Sequence, residues 1–301
     1  MNETIGFVIL HYNAIKETID CVNSIIFNID TEKYYIIIVD NKSPNGTGKK
    51  LKCMYSASDR IKVILNNENL GFACGNNVGY KYACYKLKCD FICVLNNDTL
   101  MIQDNFFEVI RKEYDKSRFG VLGPRIILKD GSDNQLYYKF PDLSFFEDEM
   151  MIQKKVLWQM RWRLNYIVVA VKLLRNYFYK LLGKKIKGRY EKYQSVSLTN
   201  KRREDVVLHG CCIIFSKEYF VSFQEAFNPN TFLYKEEELL YLRCRRKHLT
   251  IVYNPDLKIK HLEDAATDTI LRKKRAKIMF QLDNQIRSLK VLIDTMKKNE
   301  E

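Results

Sequence analysis

The sequence predicts an α/β fold in which helices cover a largely parallel sheet. Short apolar runs, too short for helices, alternate with segments whose apolar residues recur every three or four positions. The links between them are short, and this alternation is typical of parallel strands joined by crossover helices. With 301 residues, 47% of them apolar, the chain is long enough to bury one large core and carry one embellishment.

The first part of the chain follows this alternation strand by strand. The predicted strands are Ile5–Leu10, Tyr35–Val39, Ile61–Leu65 and Phe91–Leu95. The predicted helices are Lys16–Phe27, Leu51–Tyr55 and Val78–Lys86. The polar, glycine-containing segment Asn66–Asn77 is predicted to be a loop, and a C-terminal helix is expected over Ala265–Lys298.

Polar residues follow three of these strands, at Asp40, Asn66 and Asp98. Ligands of open α/β sheets bind beyond the carboxyl ends of the strands, so this edge is the expected functional site. Asp98 ends the run Asn96-Asn97-Asp98, and a carboxylate there suits a hard divalent cation whose other ligands are water and substrate phosphates. A polar turn after a buried strand is the alternative interpretation.

Common nucleotide-binding motifs do not fit. A Rossmann dinucleotide site requires G-x-G-x-x-G directly after a strand, whereas Gly71 and Gly75 are spaced too widely and follow an asparagine-rich loop. A P-loop requires G-x-x-x-x-G-K-[ST], which the segment Gly46–Lys50 lacks. A sugar-phosphate nucleotidyltransferase would need a glycine-rich basic loop where His11-Tyr12-Asn13 stands.

Several motifs, in order along the chain, resemble those of family 2 glycosyltransferases, most closely the rhamnosyltransferase-like branch of bacterial polysaccharide biosynthesis. They are Val8–Asn13, Ile38–Thr47, Asn69–Gly79, Leu95–Thr99, His209-Gly210 and Phe232–Arg243. The resemblance implies a GT-A-like, Rossmann-type mixed sheet flanked by helices, with a helical basic insertion. The implied parts are residues 1–131 for nucleotide-sugar binding, 132–205 for the insertion, and 206–301 for the acceptor and catalytic base with C-terminal helices.

The resemblance implies an inverting transferase, of hexosyl or rhamnosyl type, that moves a sugar from a nucleotide-sugar donor to a saccharide acceptor. It places Asp40 at the nucleotide base or ribose and Gly210 beside the acceptor, with Asn228–Tyr234 forming a wall of the acceptor site. The implied nucleotide-sugar-binding residues are Asn13, Asp40, Asn41, Asn69, Gly71, Gly75, Asn76, Asn77 and Asn97.

A divalent cofactor, Mg²⁺ or Mn²⁺, is implied as well, because it would neutralise the leaving nucleoside diphosphate. Asn96-Asn97-Asp98 corresponds to the family's Asp-x-Asp motif with the first carboxylate replaced, which leaves Asp98 as the charged ligand. His261 follows the strand-like Leu257–Lys260 and matches a late histidine that completes the metal or diphosphate shell. An ordinary surface histidine is the alternative.

Glu236-Glu237-Glu238 begins a predicted helix and supplies the candidate catalytic base. Three adjacent carboxylates repel one another, which raises the pKa of at least one and suits a general base near neutral pH. The resemblance places the base at Glu237, where the family has Asp, and Glu236 is the second candidate. The alternative is that the helix dipole simply favours acids in a first turn.

The formal charge of +14 is concentrated between Met151 and Tyr193, which hold twelve Lys or Arg against one acid. Trp158 and Trp162 belong to a wide apolar face, and the longest uncharged run, Leu164–Val171, is far below the ~20 residues of a membrane span. This pattern favours peripheral contact with an anionic membrane. Packing on the domain itself, or on a second copy in a homodimer, is the alternative; no nucleic acid is expected, because the aromatics lie among aliphatics.

The expected location is the cytoplasm, peripheral on the inner face of the cell membrane, with a polyprenyl-diphosphate-linked acceptor used in cell-surface polysaccharide assembly. Met1–Thr4 leads directly into a strand, so no signal peptide is expected. Cys21, Cys93 and Cys211 lie in apolar surroundings, as buried, reduced thiols do. A catalytically silent GT-A-like scaffold that binds membrane or partner proteins is the alternative function.

Overall fold

The computed structural model describes residues 3–133, 140–162, 200–262 and 271–300. The chain forms two compact units. The sheet unit comprises Met1–Phe140 and Ser197–Asp268, and the helical unit comprises Pro141–Val196 and Thr269–Glu301. Residues 134–139 and 163–199 of the predicted basic insertion, 132–205, lie outside the described residues.

The sheet unit contains one mixed sheet. Its strands are β1 (Ile5–His11), β2 (Tyr34–Asp40), β3 (Ile61–Leu65), β4 (Phe91–Asn96), β5 (Thr99–Met101), β6 (Val121–Leu128), β7 (Arg203–Glu204), β8 (Cys212–Ser216) and β9 (Ile251–His261). The order across the sheet is β3-β2-β1-β4-β8-β6-β9-β5, and β7 pairs with β9. The first four strands of this order are parallel, and β8 is antiparallel to both β4 and β6. The predicted mixed sheet flanked by helices is confirmed.

The helices of the sheet unit cover this sheet. They are α1 (Ile15–Asn28), α2 (Thr47–Met54), α3 (Gly71–Lys81) with a π-helical turn at Tyr82–Lys86, α4 (Phe106–Ser117), α6 (Lys217–Ser222) and α7 (Glu236–Arg246). The helical unit contributes α5 (Leu143–Arg161) and α8 (Leu271–Glu300). No helix among the described residues is both long and apolar enough to cross a membrane.

The prediction of a loop up to Asn77 is wrong, because α3 begins at Gly71. Gly71 has a φ of +74°, a backbone conformation that favours glycine, and it lets the chain turn into the helix. A Cβ added at Gly79 would lie 2.4 Å from Cγ1 of Val8, so the missing side chain allows α3 to lie directly on β1. The polar, glycine-containing segment is helical because it packs closely on β1, a contact that its local sequence does not reveal.

Alternation along the strands divides the core into two layers. Phe7 and Ile9 point into one layer with Phe91 and Phe106, and Val8 and its neighbours point into the other. Because both faces of the central strands are buried, their side chains form near-continuous apolar runs, and polar residues are left to the strand ends.

The helical unit pairs the two long helices. The carboxylate of Asp142 caps α5 by accepting the Phe145 amide. Apolar residues of both helices are buried: Phe146, Leu157 and Met160 from α5, and Leu289, Leu292, Ile293 and Met296 from α8. Two ion pairs join the helices, Lys297–Glu147 at 2.8 Å and Arg161–Asp283 at 3.4 Å. The C-terminal helix therefore belongs to the helical unit, with α5.

Candidate active site

The mixed topology brings three strand ends to one edge of the sheet. β8 runs antiparallel to β4, so the start of β8 lies beside the end of β4, and the Asn96 amide donates to the Cys211 carbonyl at 2.9 Å. β5 pairs with β9, which places Thr99 opposite His261. The Leu262 amide donates to the Asp98 carbonyl at 3.0 Å. Asp98, His261 and the segment before β8 therefore share one location.

The candidate metal ligands Asp98 and His261 meet directly. Nε2 of His261 lies 3.2 Å from Oδ1 of Asp98, a separation at which both atoms can bind one ion. An imidazole and a carboxylate fit a first-row divalent ion, and the carboxylate alone is the donor type that Mg²⁺ prefers. The residues present therefore fit the divalent cofactor that the resemblance implies.

His209 joins this centre, although the sequence argument gave it no role. Its ring centroid lies 5.8 Å from that of His261. Burial, together with His261, lowers the pKa of His209 to about 4, so the ring is neutral at physiological pH. Its Nδ1 accepts the Cys211 amide at 2.9 Å. The signal in the sequence is the run His209-Gly210-Cys211 placed immediately before a strand.

Glu237, the candidate base, is held against the same segment. Its Oε1 accepts the Gly210 amide at 3.1 Å. A Cβ added at Gly210 would lie 2.7 Å from that oxygen, so a glycine lets the carboxylate approach the backbone. Burial first, and Glu238 second, raise the pKa of Glu237 to about 7. The resemblance placed Gly210 beside the acceptor; its observed contact is with the candidate base.

Glu236 and Glu238 differ from Glu237 in their partners. Glu236 is 4% exposed, and burial, followed by repulsion from Glu237, raises its pKa to about 8. A hydrogen bond from the Thr231 side chain offsets part of that rise. Glu238 pairs with Lys235 at 3.0 Å. Glu237 is the partly exposed member of the three, which a base that must reach a substrate requires.

The backbone before α7 is strained. Tyr234 and Lys235 have φ values of +74° and +67°, a region in which side chains with a Cβ are uncommon. Two such residues in succession turn the chain sharply into the acidic first turn of α7. Strain of this kind persists where the surrounding structure fixes it, and it clusters at functional sites.

The contacts form one continuous line across the site. Asp98 touches His261, His261 lies against His209, and the next residue, Gly210, donates to Glu237. This series of contacts connects the predicted metal ligands with the predicted base, although they are far apart in the sequence.

The ends of β1 and β2 carry residues that were predicted to bind the nucleotide. Asp40 is buried and accepts the Ser43 amide with both carboxylate oxygens, at 3.2 and 3.4 Å. Asn13 has a φ of +64°, and its backbone N–H donates to the Ser43 hydroxyl at 2.9 Å. Its side-chain oxygen is buried without a hydrogen-bond partner among the described residues. That oxygen is an acceptor available to a ligand.

The Asn41 side chain shapes the loop before α3. Its Nδ2 donates to Oδ1 of Asn69 and to the carbonyl of Gly71, both at 2.9 Å, and its Oδ1 accepts the Leu70 amide at 3.0 Å. A Cβ at Gly71 would lie 2.3 Å from the Phe232 carbonyl, which also accepts the Phe72 amide at 2.7 Å. Asn41 and Asn69 therefore fix the loop, and the Phe72 amide joins it to the wall segment beside Gly71.

Three further residues predicted to bind the nucleotide sugar make contacts within the protein. A Cβ at Gly75 would lie 2.7 Å from Cδ1 of Leu10, so this glycine faces the sheet. Nδ2 of Asn77 donates to the Phe227 carbonyl and its Oδ1 accepts the Phe227 backbone amide, each at 2.9 Å. Both polar atoms of the Asn77 side chain therefore have partners. Nδ2 of Asn76, a fully buried residue, donates to the Phe72 carbonyl.

Asn97 also has a structural contact. Its Nδ2 donates to the Thr18 hydroxyl at 3.1 Å and so braces the turn after β4 against α1. Thr18 in turn bonds Nδ1 of the buried His11, whose other nitrogen bonds the Thr47 hydroxyl. Burial lowers the pKa of His11. These bonds link the end of β4 to the end of β1 beneath the site.

Comparison with known proteins points to one family. The model of the family "Glycosyl transferase family 2" matches residues 7–221. The chain is 23% identical over 241 residues to Glycosyltransferase GlyG of Streptococcus pneumoniae, covering 78% of this chain and 71% of that protein. Crystal structures of S. aureus TarS 1–349, one in complex with UDP-GlcNAc, superpose with a TM-score of 0.51 at 12% identity over 94% of this chain. The match spans 66% of the UDP-GlcNAc-bound TarS chain and 71% of the other.

Replacing Glu237 by glutamine is expected to raise the free energy of unfolding at pH 8 by about 1–3 kcal/mol. The folded-state pKa of Glu237 lies above its unfolded value, so the stability that its protonation contributes is present at low pH and is lost as the pH rises through about 7. Glutamine is neutral throughout, and its carbonyl still accepts the Gly210 amide. Urea unfolding at pH 8 and pH 5 measures the difference, which should shrink at pH 5.

Glu238→Gln is the matched control. That carboxylate is paired with Lys235, so its replacement should lower the free energy of unfolding at pH 8. Equal destabilisation by both variants would show that the site does not penalise the charge of Glu237.

Proposed function

The chain belongs to glycosyl transferase family 2, and we propose that it transfers a single sugar from a nucleotide-sugar donor to a saccharide acceptor with inversion of the anomeric configuration. The observation that carries the proposal is the line of contacts from Asp98 through His261 and His209 to Glu237. It sets a candidate diphosphate-binding centre beside a carboxylate whose pKa is near neutrality. Transfer by direct displacement needs both at one place.

Glu237 is the proposed general base. As the acceptor hydroxyl attacks the anomeric carbon, its proton passes to the Glu237 carboxylate, and the bond to the diphosphate oxygen breaks with its electron pair leaving on the nucleoside diphosphate. Attack from the face opposite the leaving group inverts the anomeric centre. The Gly210 amide fixes one carboxylate oxygen, so the other is the proton acceptor.

Glu236 has a supporting role in this proposal. Its raised pKa keeps the carboxyl protonated at pH 7, and a protonated acid does not accept the acceptor proton. Its hydrogen bond with Thr231 joins the wall segment to the first turn of α7. Glu236 therefore orients the helix that carries the base.

Asp98 and His261 are the residues that would hold Mg²⁺ or Mn²⁺. When bound, the ion supplies positive charge that stabilises the departing diphosphate. With Asn96 in place of the first carboxylate, the chain offers little negative charge of its own, so ion and diphosphate are expected to bind together.

The donor is proposed to lie across the ends of β1 and β2. The unpartnered oxygen of Asn13 can accept from the nucleotide, and the turn at Asp40 closes this side. The TarS structure in complex with UDP-GlcNAc shows that a protein of this fold holds a nucleotide sugar, which supports the same donor class here. This proposal does not specify the transferred sugar or the nucleobase of the donor.

The acceptor is proposed to be lipid-linked, because α5 presents an exposed stripe suited to a membrane surface. Met151, Trp158 and Trp162 are 62%, 55% and 67% exposed and recur at helical spacing. The exposed residues Lys154, Lys155 and Arg161 flank them. Aromatic and apolar residues bordered by cations favour insertion at the headgroup level of an anionic bilayer. A peripheral enzyme on the inner membrane face, acting in cell-surface polysaccharide assembly, is the resulting proposal.

The rival function is a silent scaffold that binds membrane or partner proteins through this stripe. Replacement of the first motif carboxylate by Asn96 favours it. The strained entry to α7 and the raised pKa of Glu237 favour catalysis, because a scaffold has no need of either.

Glu237→Gln is expected to lower kcat by about 10²–10⁴-fold while leaving donor affinity unchanged. Glu236→Gln, the matched control one residue away, should keep most activity, because it replaces a neutral acid by a neutral amide. Transfer from a panel of UDP-, dTDP- and GDP-sugars measures the rates, and thermal shift measures donor binding. For the unmodified protein, kcat/KM should rise with pH through about 7, as Glu237 loses its proton. Loss of transfer in Glu236→Gln alone would make Glu236 the base.

Asp98→Ala is expected to reduce the affinity for a nucleoside diphosphate in Mn²⁺ about tenfold or more, to the value found in EDTA. The carboxylate is the charged ligand that joins ion and protein. Calorimetric titration with UDP, with Mn²⁺ or EDTA, measures the difference. Asp104→Ala, an exposed aspartate nearby in the sequence, is the control and should retain the Mn²⁺ dependence. Unchanged Mn²⁺-dependent affinity in Asp98→Ala would remove Asp98 from the metal site.

Replacing both Trp158 and Trp162 by alanine is expected to lower binding to anionic vesicles by roughly tenfold, since two large apolar side chains no longer enter the bilayer. Flotation with phosphatidylglycerol-containing and purely zwitterionic vesicles measures it. Phe27→Ala removes a more exposed aromatic side chain outside the stripe, and this variant should bind as the unmodified protein does. Equal recovery of the protein on both vesicle types would exclude electrostatic attraction to the anionic lipid. If the unmodified protein is a dimer and the double variant is not, a second copy of the chain covers the stripe.

A further inference from the structure

A thiol lies within the candidate metal centre. Ligand atoms of His209, Cys211 and His261 all lie within 4.8 Å of one another, and Asp98 is 3.2 Å from His261. Cys211 is 1% exposed and is held by its backbone, whose carbonyl accepts the Asn96 amide at 2.9 Å. Nothing in the Asp-x-Asp pattern requires sulfur at this position. The donor set is therefore softer than a pair of carboxylates.

The hydrogen bond at His209 separates the ligands from the residue that supports them. Nδ1 of His209 accepts the Cys211 amide, so a neutral ring carries its proton on Nε2 and acts there as a donor. Metal binding to a neutral imidazole requires an unprotonated nitrogen. Cys211 and His261 are then the members of this cluster that can bind a metal, and Asp98 adjoins them through its 3.2 Å contact with His261. His209 is a positioning residue that fixes the Cys211 backbone.

We propose that Cys211 is a third metal ligand beside Asp98 and His261, and that this thiolate–imidazole–carboxylate set binds Zn²⁺ in preference to Mg²⁺. The inference rests on the metal centre of the proposed function and names its ion class. Thiolate and imidazole ligands favour late first-row ions, whereas Mg²⁺ is bound by oxygen. Three protein ligands leave the fourth tetrahedral position open, as zinc sites that admit a substrate require.

Binding has a proton balance. The Cys211 thiol loses its proton to solvent as the sulfur–metal bond forms, and no oxidant or reductant takes part. One proton is therefore released for each ion bound through sulfur.

The decisive measurement is X-ray absorption at the zinc edge on the unmodified full chain loaded with one equivalent of Zn²⁺. The expected result is a sulfur shell at about 2.3 Å together with nitrogen and oxygen at about 2.0–2.2 Å. A nitrogen–oxygen shell without sulfur overturns the proposal. So does displacement of the Zn²⁺ by an equal concentration of Mg²⁺.

Co²⁺ titration of two serine variants gives a second test, because cobalt bound to thiolate has a charge-transfer band that cobalt bound to nitrogen and oxygen lacks. Cys211→Ser should lose the band. Cys212→Ser, the adjacent fully buried cysteine whose Sγ lies 3.7 Å from that of Cys93, should retain it. Persistence of the band in Cys211→Ser, or its loss in Cys212→Ser, contradicts the assignment.

The experiments distinguish a failure of the zinc-site proposal from a failure of the proposed transferase function. Absence of the sulfur shell would remove Cys211 from the ligand set and leave Mn²⁺-dependent transfer as it stands. Absence of transfer with every metal and donor would remove the proposed function and leave a zinc–sulfur shell as an observed property of the chain.

Discussion

The site depends on one backbone contact, in which the Gly210 amide donates to the Glu237 carboxylate. Gly210 belongs to the segment that also carries His209 and Cys211, so the bond joins the acidic helix to the candidate metal ligands at the sheet edge. It forms because residue 210 has no Cβ. A single absent side chain thus sets the distance between the group that would take a proton and the groups that would hold a diphosphate.

The helical turn that carries Glu237 contains features that lower the stability of the folded protein. Two buried or partly buried carboxylates with raised pKa values stand in one helical turn, after two residues with positive φ. Each of these features is unfavourable by itself. The surrounding core, in which strands β1, β2 and β4 are buried on both faces, holds them in place. The unfavourable free energy of this local arrangement is offset by the burial of the large, close-packed sheet.

Much of the fold was predictable where the signal is local. The first four strands and the polar sheet edge followed from apolar runs, and the assignment of Asp98 and His261 to one metal site followed from motifs on either side of residues 132–205. The helical start at Gly71 was not predictable, because it depends on α3 packing on Val8 and Leu10, which are distant in sequence. His209 and Cys211 were missed as site residues because only the antiparallel insertion of β8 beside β4 brings them to Asp98. The joining of α5 and α8 into one unit likewise has no local signal.

The wall segment, Asn228–Tyr234, and helix α3 are not independent parts of the structure. The Phe232 carbonyl accepts the Phe72 amide, and Asn77 bonds the Phe227 backbone twice, so residues 227–232 are fastened to α3 at both ends. A displacement of α3 would therefore move the segment that leads into α7, because hydrogen bonds at both ends of residues 227–232 join that segment to the helix.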